Sequence, residues 1–221
     1  MKQYIMQTSE YNLIKIIDQT AKEKNLSFSS CIEFGPGNNP LHDWFKKYNK
    51  AKNAKDYICI ELDNNISSKL LARNINTYSD IIQSPLKIAD LTLALEVLEH
   101  IPENDLLIFL EKIKAATNVM FACTTPNFEH WDETLKPLPE VKECRYIPDH
   151  FPYYKPKSTN PHHHKTAMTP EKMFNLLSQV FPLDTWYINV YRAWPWKISD
   201  LARNSTYQLY FKLFGMVVKK I

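Results

Sequence analysis

An α/β fold built on a mostly parallel sheet is predicted by three observations. Short apolar runs alternate with amphipathic stretches from about residue 9 to residue 123. One of those runs, Asp90-Leu91-Thr92-Leu93-Ala94-Leu95, is almost continuously apolar, as a strand covered on both faces is. Two of the only 3 glycines in 221 residues, Gly35 and Gly37, stand one residue apart between an apolar run and a helix-start signal. A chain so sparing with glycine places it where a Cβ cannot be tolerated.

The elements follow in order. Tyr11, Leu13, Ile14, Ile17 and Ala21 recur at helical spacing and predict an amphipathic helix from about Ser9 to Lys24. Ser30-Cys31-Ile32 is a short buried strand, and the glycine turn Gly35-Pro36-Gly37-Asn38 follows it. Asn39-Pro40 reads as an N-cap with proline at N1 of a helix running to about Lys50, with Trp44, Phe45 and Tyr48 inward. Tyr57-Ile58-Cys59-Ile60 is the second strand. A helix carrying Ile66, Leu70 and Leu71 leads to a weakly marked third strand at Asn74–Ser79. After the fourth strand, Pro102 reads as helix N1, with Glu103 and Asp105 in the first turn and Lys112 and Lys114 near the end, as the helix dipole favours. Asn118–Cys123 is the fifth strand. Thr169-Pro170-Glu171 opens a helix to about Val180, Asp184–Tyr191 gives a sixth strand, and Gly215–Lys219 a seventh.

This rhythm breaks between Thr125 and Met168. The segment is rich in proline and aromatic residues and holds five of the 7 histidines, namely His130, His150, His162, His163 and His164. Long connections of this kind are functional lids or binding loops when ordered. The expectation is a single domain over residues 1–221, with a lid-like insertion at about 125–168.

Composition bounds the function. With 44% hydrophobic residues and a net charge of +3, the chain buries one good core and carries no charge excess that demands nucleic acid or an anionic membrane. Basic residues do cluster, at Lys46, Lys47, Lys50, Lys52 and Lys55, and again at Arg192, Lys197, Arg203, Lys212, Lys219 and Lys220. No apolar run approaches the ~20 residues of a membrane span. Cys31, Cys59, Cys123 and Cys144 show no metal or redox spacing, and the first three lie in predicted buried strands, so a reducing, cytoplasmic setting is expected. The C-terminal aromatics Trp186, Tyr187, Tyr191, Trp194 and Trp196 read as strand and edge packing.

The glycine turn suits a nucleoside. An acid at the end of the next strand takes ribose hydroxyls in such sites, and Glu61 stands there, followed by Asp63, which also suits a helix cap. A dinucleotide fingerprint needs a third glycine where this chain has Pro40, and no Gly-Lys-Ser/Thr of a phosphate loop occurs. A phosphate-free nucleoside is what remains.

Glu33-Phe34-Gly35-Pro36-Gly37-Asn38-Asn39 resembles the first motif of class I S-adenosylmethionine-dependent methyltransferases. Tyr57 to Asp63 resembles their second motif, Asp90 to Pro102 their fourth-strand motif, and Thr124-Thr125-Pro126-Asn127 the sequence that follows their fifth strand. The match runs in order over about residues 29–127 and departs at Asn39, which replaces a glycine. It implies a Rossmann-like three-layer sandwich whose seven-stranded, mostly parallel sheet has an antiparallel last strand. It implies S-adenosyl-L-methionine as cofactor, held by Glu33, Phe34, Gly35, Gly37, Asn38, Glu61, Leu62, Asp80 and Glu96. It also implies direct in-line transfer to an acceptor, with His100, His164 and Glu99 as the catalytic set. The first expectation for the acceptor is a small molecule or metabolite.

The spacing Glu96-x-x-Glu99-His100, then Thr125-Pro126-Asn127-Phe128-Glu129, then His164-Lys165-x-x-x-Thr169 is also similar to the metal-dependent small-RNA 3′-terminal 2′-O-methyltransferases. By that resemblance Glu96, Glu99, His100 and His164 offer mixed oxygen and nitrogen ligands to Mg or Mn. RNA is then the alternative partner. A third alternative is a cofactor-binding protein without turnover.

Overall fold

In the computed structural model, residues 8–48, 56–128, 157, 159–160, 163–193 and 212–220 are described. Their order is α1 (Thr8–Glu23), β1 (Cys31–Phe34), α2 (His42–Tyr48), β2 (Tyr57–Ile60), α3 (Asn64–Ala72), β3 (Thr77–Tyr78), β4 (Ala89–Leu95), α4 (Leu106–Ala116), β5 (Thr117–Pro126), α5 (Pro170–Val180), β6 (Trp186–Ala193) and β7 (Lys212–Lys219). The strands form one seven-stranded sheet in the order β3-β2-β1-β4-β5-β7-β6. Pairing is parallel from β3 through β5, and β7 runs antiparallel to both β5 and β6. The expected fold class is therefore observed, including the antiparallel last strand.

Strand alternation divides the core into two layers. Ile32, Phe34, Ile58 and Ile60 face α4 and α5, where Leu106, Leu110, Ile113, Met173, Leu177 and Val180 cover them. Cys31, Tyr57, Cys59, Leu91 and Leu93 face α1, α2 and α3, under Leu13, Ile14, Ile17, Phe45 and Leu70. Side chains of a strand point alternately to opposite faces, so near-continuous apolar strands fit a sheet buried on both sides.

Two helices begin later than their proline signals predict. Leu41 gives its N–H to the Glu33 carboxylate at 2.9 Å, and its carbonyl accepts the first helical bond, from Phe45. Leu41 therefore acts as the cap, and α2 starts at His42 rather than at Pro40. Pro102, at φ −56° and ψ 143°, is extended and caps a 3-10 turn over Glu103–Asp105, so α4 starts at Leu106. The Thr169 cap behaves as expected, accepting Lys172 N–H at 3.2 Å ahead of Pro170. The third strand shrinks to two residues, and β5, β6 and β7 extend beyond their expected bounds at their C-terminal or N-terminal ends. Residues 129–156 of the expected lid, with His130, Cys144 and His150, lie outside the described residues, as do His162, Trp194 and Trp196.

The third glycine has a packing reason. A Cβ built on Gly215 in β7 would sit 2.7 Å from Cys123 Sγ on β5, 2.9 Å from Met173 Sδ and 3.1 Å from Leu177 Cδ1 on α5. Gly215 thus sets how closely α5 lies on the sheet. Gly215→Ala is expected to destabilise the protein by about 1–3 kcal/mol through overpacking. Urea unfolding reads this as a lower midpoint at unchanged slope, and adding Cys123→Ala returns part of the loss.

Candidate active site

The C-terminal ends of β1, β2, β4 and β5 and the start of β7 share one edge of the sheet. In open α/β sheets, ligands bind in the crevice at this edge. The glycine turn leaves β1 there. Gly35 and Gly37 have φ of +59° and +58°, the left-handed region that favours glycine. At Gly35 a Cβ would also meet Val97 Cγ2 at 2.8 Å, whereas at Gly37 nothing lies within 4 Å. The backbone at Gly37 is therefore open to a ligand.

Four hydrogen bonds brace the turn. Gly35 N–H donates to Ile60 O at 2.8 Å, Gly37 N–H to Glu61 Oε2 at 3.3 Å, Arg73 Nη1 to Asn38 O at 2.8 Å, and Leu41 N–H to Glu33 Oε2 at 2.9 Å. Glu61 ends β2 and also accepts Asp63 N–H at 2.9 Å through Oε1. Its carboxylate thus stands between the open turn and the second strand, where an acid can take ribose hydroxyls. Asp63 caps α3, accepting from Asn65 and Ile66. Leu62, next to Glu61, is 82% exposed, and Ile82, after β3, is 77% exposed. These apolar side chains beyond the ends of adjacent strands suit the face of a flat heterocycle.

Two residues expected at the cofactor have buried side chains. The Glu33 side chain is buried, and its Oε2 accepts from the Tyr57 hydroxyl as well as from Leu41. Through these two bonds it braces the turn from below. The Phe34 side chain lies in the core with its ring edge-to-face against Phe109, because alternation points it toward the α4 layer. Only its backbone can serve the cleft. Asp80 caps the 3-10 turn Ile81–Gln83, accepting Ile82 N–H at 2.9 Å.

A second cluster lies between β4 and α4. Glu99 and His100 belong to the 3-10 turn Leu98–His100, and His164 reaches them from the segment before α5. Two backbone bonds bring that segment in: Lys165 N–H and Thr166 N–H both donate to Glu99 O, at 2.6 and 3.1 Å. Thr166 Oγ1 donates to Ile101 O at 2.7 Å, and Phe128 N–H to Met168 O at 2.8 Å. The His100 and His164 rings are edge-to-face with centroids 5.0 Å apart. One ligand atom each from Glu99, His100 and His164 lies within 4.8 Å of the others.

These residues fit a divalent ion. Bonds of ~2.2 Å hold ligand atoms no more than ~4.4 Å apart, so the set needs a contraction of only a few tenths of an ångström. Glu99 is 1% exposed, and its Oε2 has no hydrogen-bond partner among the described residues. A buried carboxylate oxygen without a partner is costly unless a cation or proton meets it. Two imidazoles in the set favour Mn over the harder Mg, which prefers oxygen. Glu96, the fourth expected ligand, is outside this 4.8 Å group and is held by other contacts. It is a non-glycine residue at φ +56°, its N–H bonds Thr124, and its Oε2 is paired with Lys212 Nζ.

No family model matches the sequence, and no curated protein matches it. The fold does have solved counterparts. The plantazolicin methyltransferase BpumL, in complex with a triazolic desmethylPZN analog and SAH, superposes at TM-score 0.66 and 14% identity, covering 99% of this chain and 87% of that one. The small RNA methyltransferase HEN1 gives 0.62 at 17% identity, over 97% of this chain and 25% of that one. The methyltransferase domain of bacterial CtHen1-C gives 0.58 at 14%, over 94% and 97%. The chain has the fold of class I S-adenosylmethionine-dependent methyltransferases. In that fold the turn and Glu61 lie on the sheet edge next to the Glu99–His100–His164 cluster, and Lys212 joins them there. Sequence reading missed Lys212 because its pairing with Glu96 spans 116 residues. The available signal was a lone lysine leading the apolar run Leu213–Val218.

Burial pushes the Glu99 carboxyl up to about 8, well above the usual carboxylate range. The folded protein then holds a proton that the unfolded chain releases, so the contribution of Glu99 to stability is full below about pH 4.5 and is lost as pH rises toward 8. Thermal unfolding in chelator is expected to show this fall, and Glu99→Gln to flatten it. A divalent ion that takes the proton's place restores stability at pH 8 and releases the proton.

Proposed function

We propose that the chain is an S-adenosylmethionine-dependent methyltransferase that works with a divalent ion and methylates the 2′-hydroxyl at the 3′ end of an RNA. The convergence of Glu99, His100 and His164 carries this reading. The likeness of fold to HEN1 and to the CtHen1-C domain supports it.

In this reading the open backbone of the glycine turn receives the amino-acid end of the cofactor, Glu61 takes its ribose hydroxyls, and Leu62 covers its base. S-adenosylmethionine supplies an electrophilic methyl: the S–CH3 bond breaks as the O–CH3 bond forms, the sulfonium becomes a neutral thioether, and the hydroxyl proton goes to solvent. Glu99, His100 and His164 would hold the ion, which would supply Lewis-acid chemistry that makes the attacked hydroxyl more acidic. His164 is fixed by the Lys165 and Thr166 backbone bonds, so the cluster is positioned before an acceptor arrives. Positioning of this kind supplies much of the rate in a transfer that forms one bond and breaks another.

A small-molecule acceptor is the second reading, favoured by the plantazolicin methyltransferase likeness at TM-score 0.66. The acceptor test separates the two. With Mn or Mg present, labelled methyl is expected to enter a short RNA ending in a free 3′ diol and to protect it from periodate. His164→Ala is expected to cut this rate by roughly 100-fold or more, as loss of a group that organises the reacting hydroxyl does. Transfer indifferent to chelator removes the ion from the reading, and transfer absent from RNA but present on small acceptors moves it to the second. Calorimetry with S-adenosylhomocysteine tests the shared premise. Wild type is expected to bind, and Glu61→Ala to bind about tenfold more weakly, the effect of about 1.4 kcal/mol. Binding without turnover on any acceptor leaves a cofactor-binding protein.

A further inference from the structure

We infer that Lys212 is a resident counter-cation that competes with the divalent ion for Glu96 and so sets the affinity of the metal site. This rests on the metal reading above and goes beyond it in assigning a function to a residue outside the ligand set.

Lys212 opens β7 and lies across from Pro126 at the end of β5, with Ala193 of β6 on its other side. Its side chain is only 9% exposed, so water screens its charge poorly. Its ammonium is paired with Glu96 Oε2. The other carboxylate oxygen, Oε1, is buried and accepts no hydrogen bond among the described residues. Glu96 is three residues ahead of Glu99 on the segment that leaves β4. Both its backbone bonds go to Thr124, next to the Thr125 that neighbours Glu99. Glu96 also holds a left-handed φ that costs a non-glycine residue energy and that persists only where surrounding contacts impose it. The Lys212 pair and the Thr124 bonds are those contacts.

Two consequences follow from charge. A fixed ammonium at the same edge of the sheet repels a divalent ion, and it occupies the oxygen of an acid three residues from Glu99. Removing it therefore strengthens ion binding, provided Glu96 remains. The ammonium also keeps Glu96 paired while no ion is bound, and Glu96, at 35% side-chain exposure, loses that partner at a cost when Lys212 is replaced. Lys212 thus supports the fold in the free state and weakens the ion's hold. An ion held weakly by the protein alone is completed by ligands that an acceptor brings.

The test is calorimetric titration of the full chain with Mn at fixed pH and ionic strength. Lys212→Met is expected to bind about tenfold more tightly than wild type, and Lys212→Arg, which keeps the charge, to match wild type. Lys212→Gln gives the same reading as Lys212→Met if the methionine variant folds poorly. Equal or weaker binding by Lys212→Met and Lys212→Gln overturns the inference. In a Glu96→Gln background, Lys212→Met is expected to change affinity by less than about twofold, and a tenfold gain that persists there overturns the competition for Glu96. Absence of Mn binding to wild type and variants alike overturns the metal reading and this inference with it.

Discussion

The carbonyl of Glu99 is the constraint on which the site depends. It accepts the N–H groups of both Lys165 and Thr166, and through them it fixes a segment more than sixty residues away in sequence against the end of β4. The same residue puts its carboxyl into the cluster that this segment completes. One residue therefore builds the site with its backbone and serves it with its side chain. Loss of the carboxyl by Glu99→Gln leaves the carbonyl in place, so chemistry and architecture can be separated there.

The glycine turn depends on the opposite kind of support. Its own backbone is exposed, and its restraint comes from beneath and beside it, from the buried Glu33 and Tyr57 and from Arg73 at the end of α3. Asn39 stands where the family's motif has glycine, and the Arg73 bond to the Asn38 carbonyl holds that stretch in place. Glu33 would be an expensive acid to bury alone. The Leu41 amide and the Tyr57 hydroxyl meet it, as buried charges require.

The sheet was legible in the sequence because its strands are apolar on both faces and its turns are marked by glycine and by capped prolines. Local signals also located Glu61, Asp63 and the Thr169 cap. What the sequence hid was direction and distance. Alternation along β1 turns Phe34 into the core and Glu33 beneath the turn, although both sit inside the motif that carries the cofactor resemblance. Pro40 and Pro102 mark entry to helices but not their first residues, since a carboxylate at Glu33 and an extended Pro102 intervene. The ion pair between Glu96 and Lys212 depends on β7 being inserted beside β5, a fact of topology that no local pattern carries.

Leu62 and Ile82 each leave hydrocarbon in water beyond the ends of neighbouring strands. Water around such a surface contributes heat capacity, and a planar ligand that covers it removes that contribution. For the cofactor of the proposed reading, the affinity of this edge of the sheet would therefore be tied to temperature through its enthalpy. In that reading the carboxylate of Glu61 would choose which groups are held, and the exposed leucine beside it how that hold changes with warming.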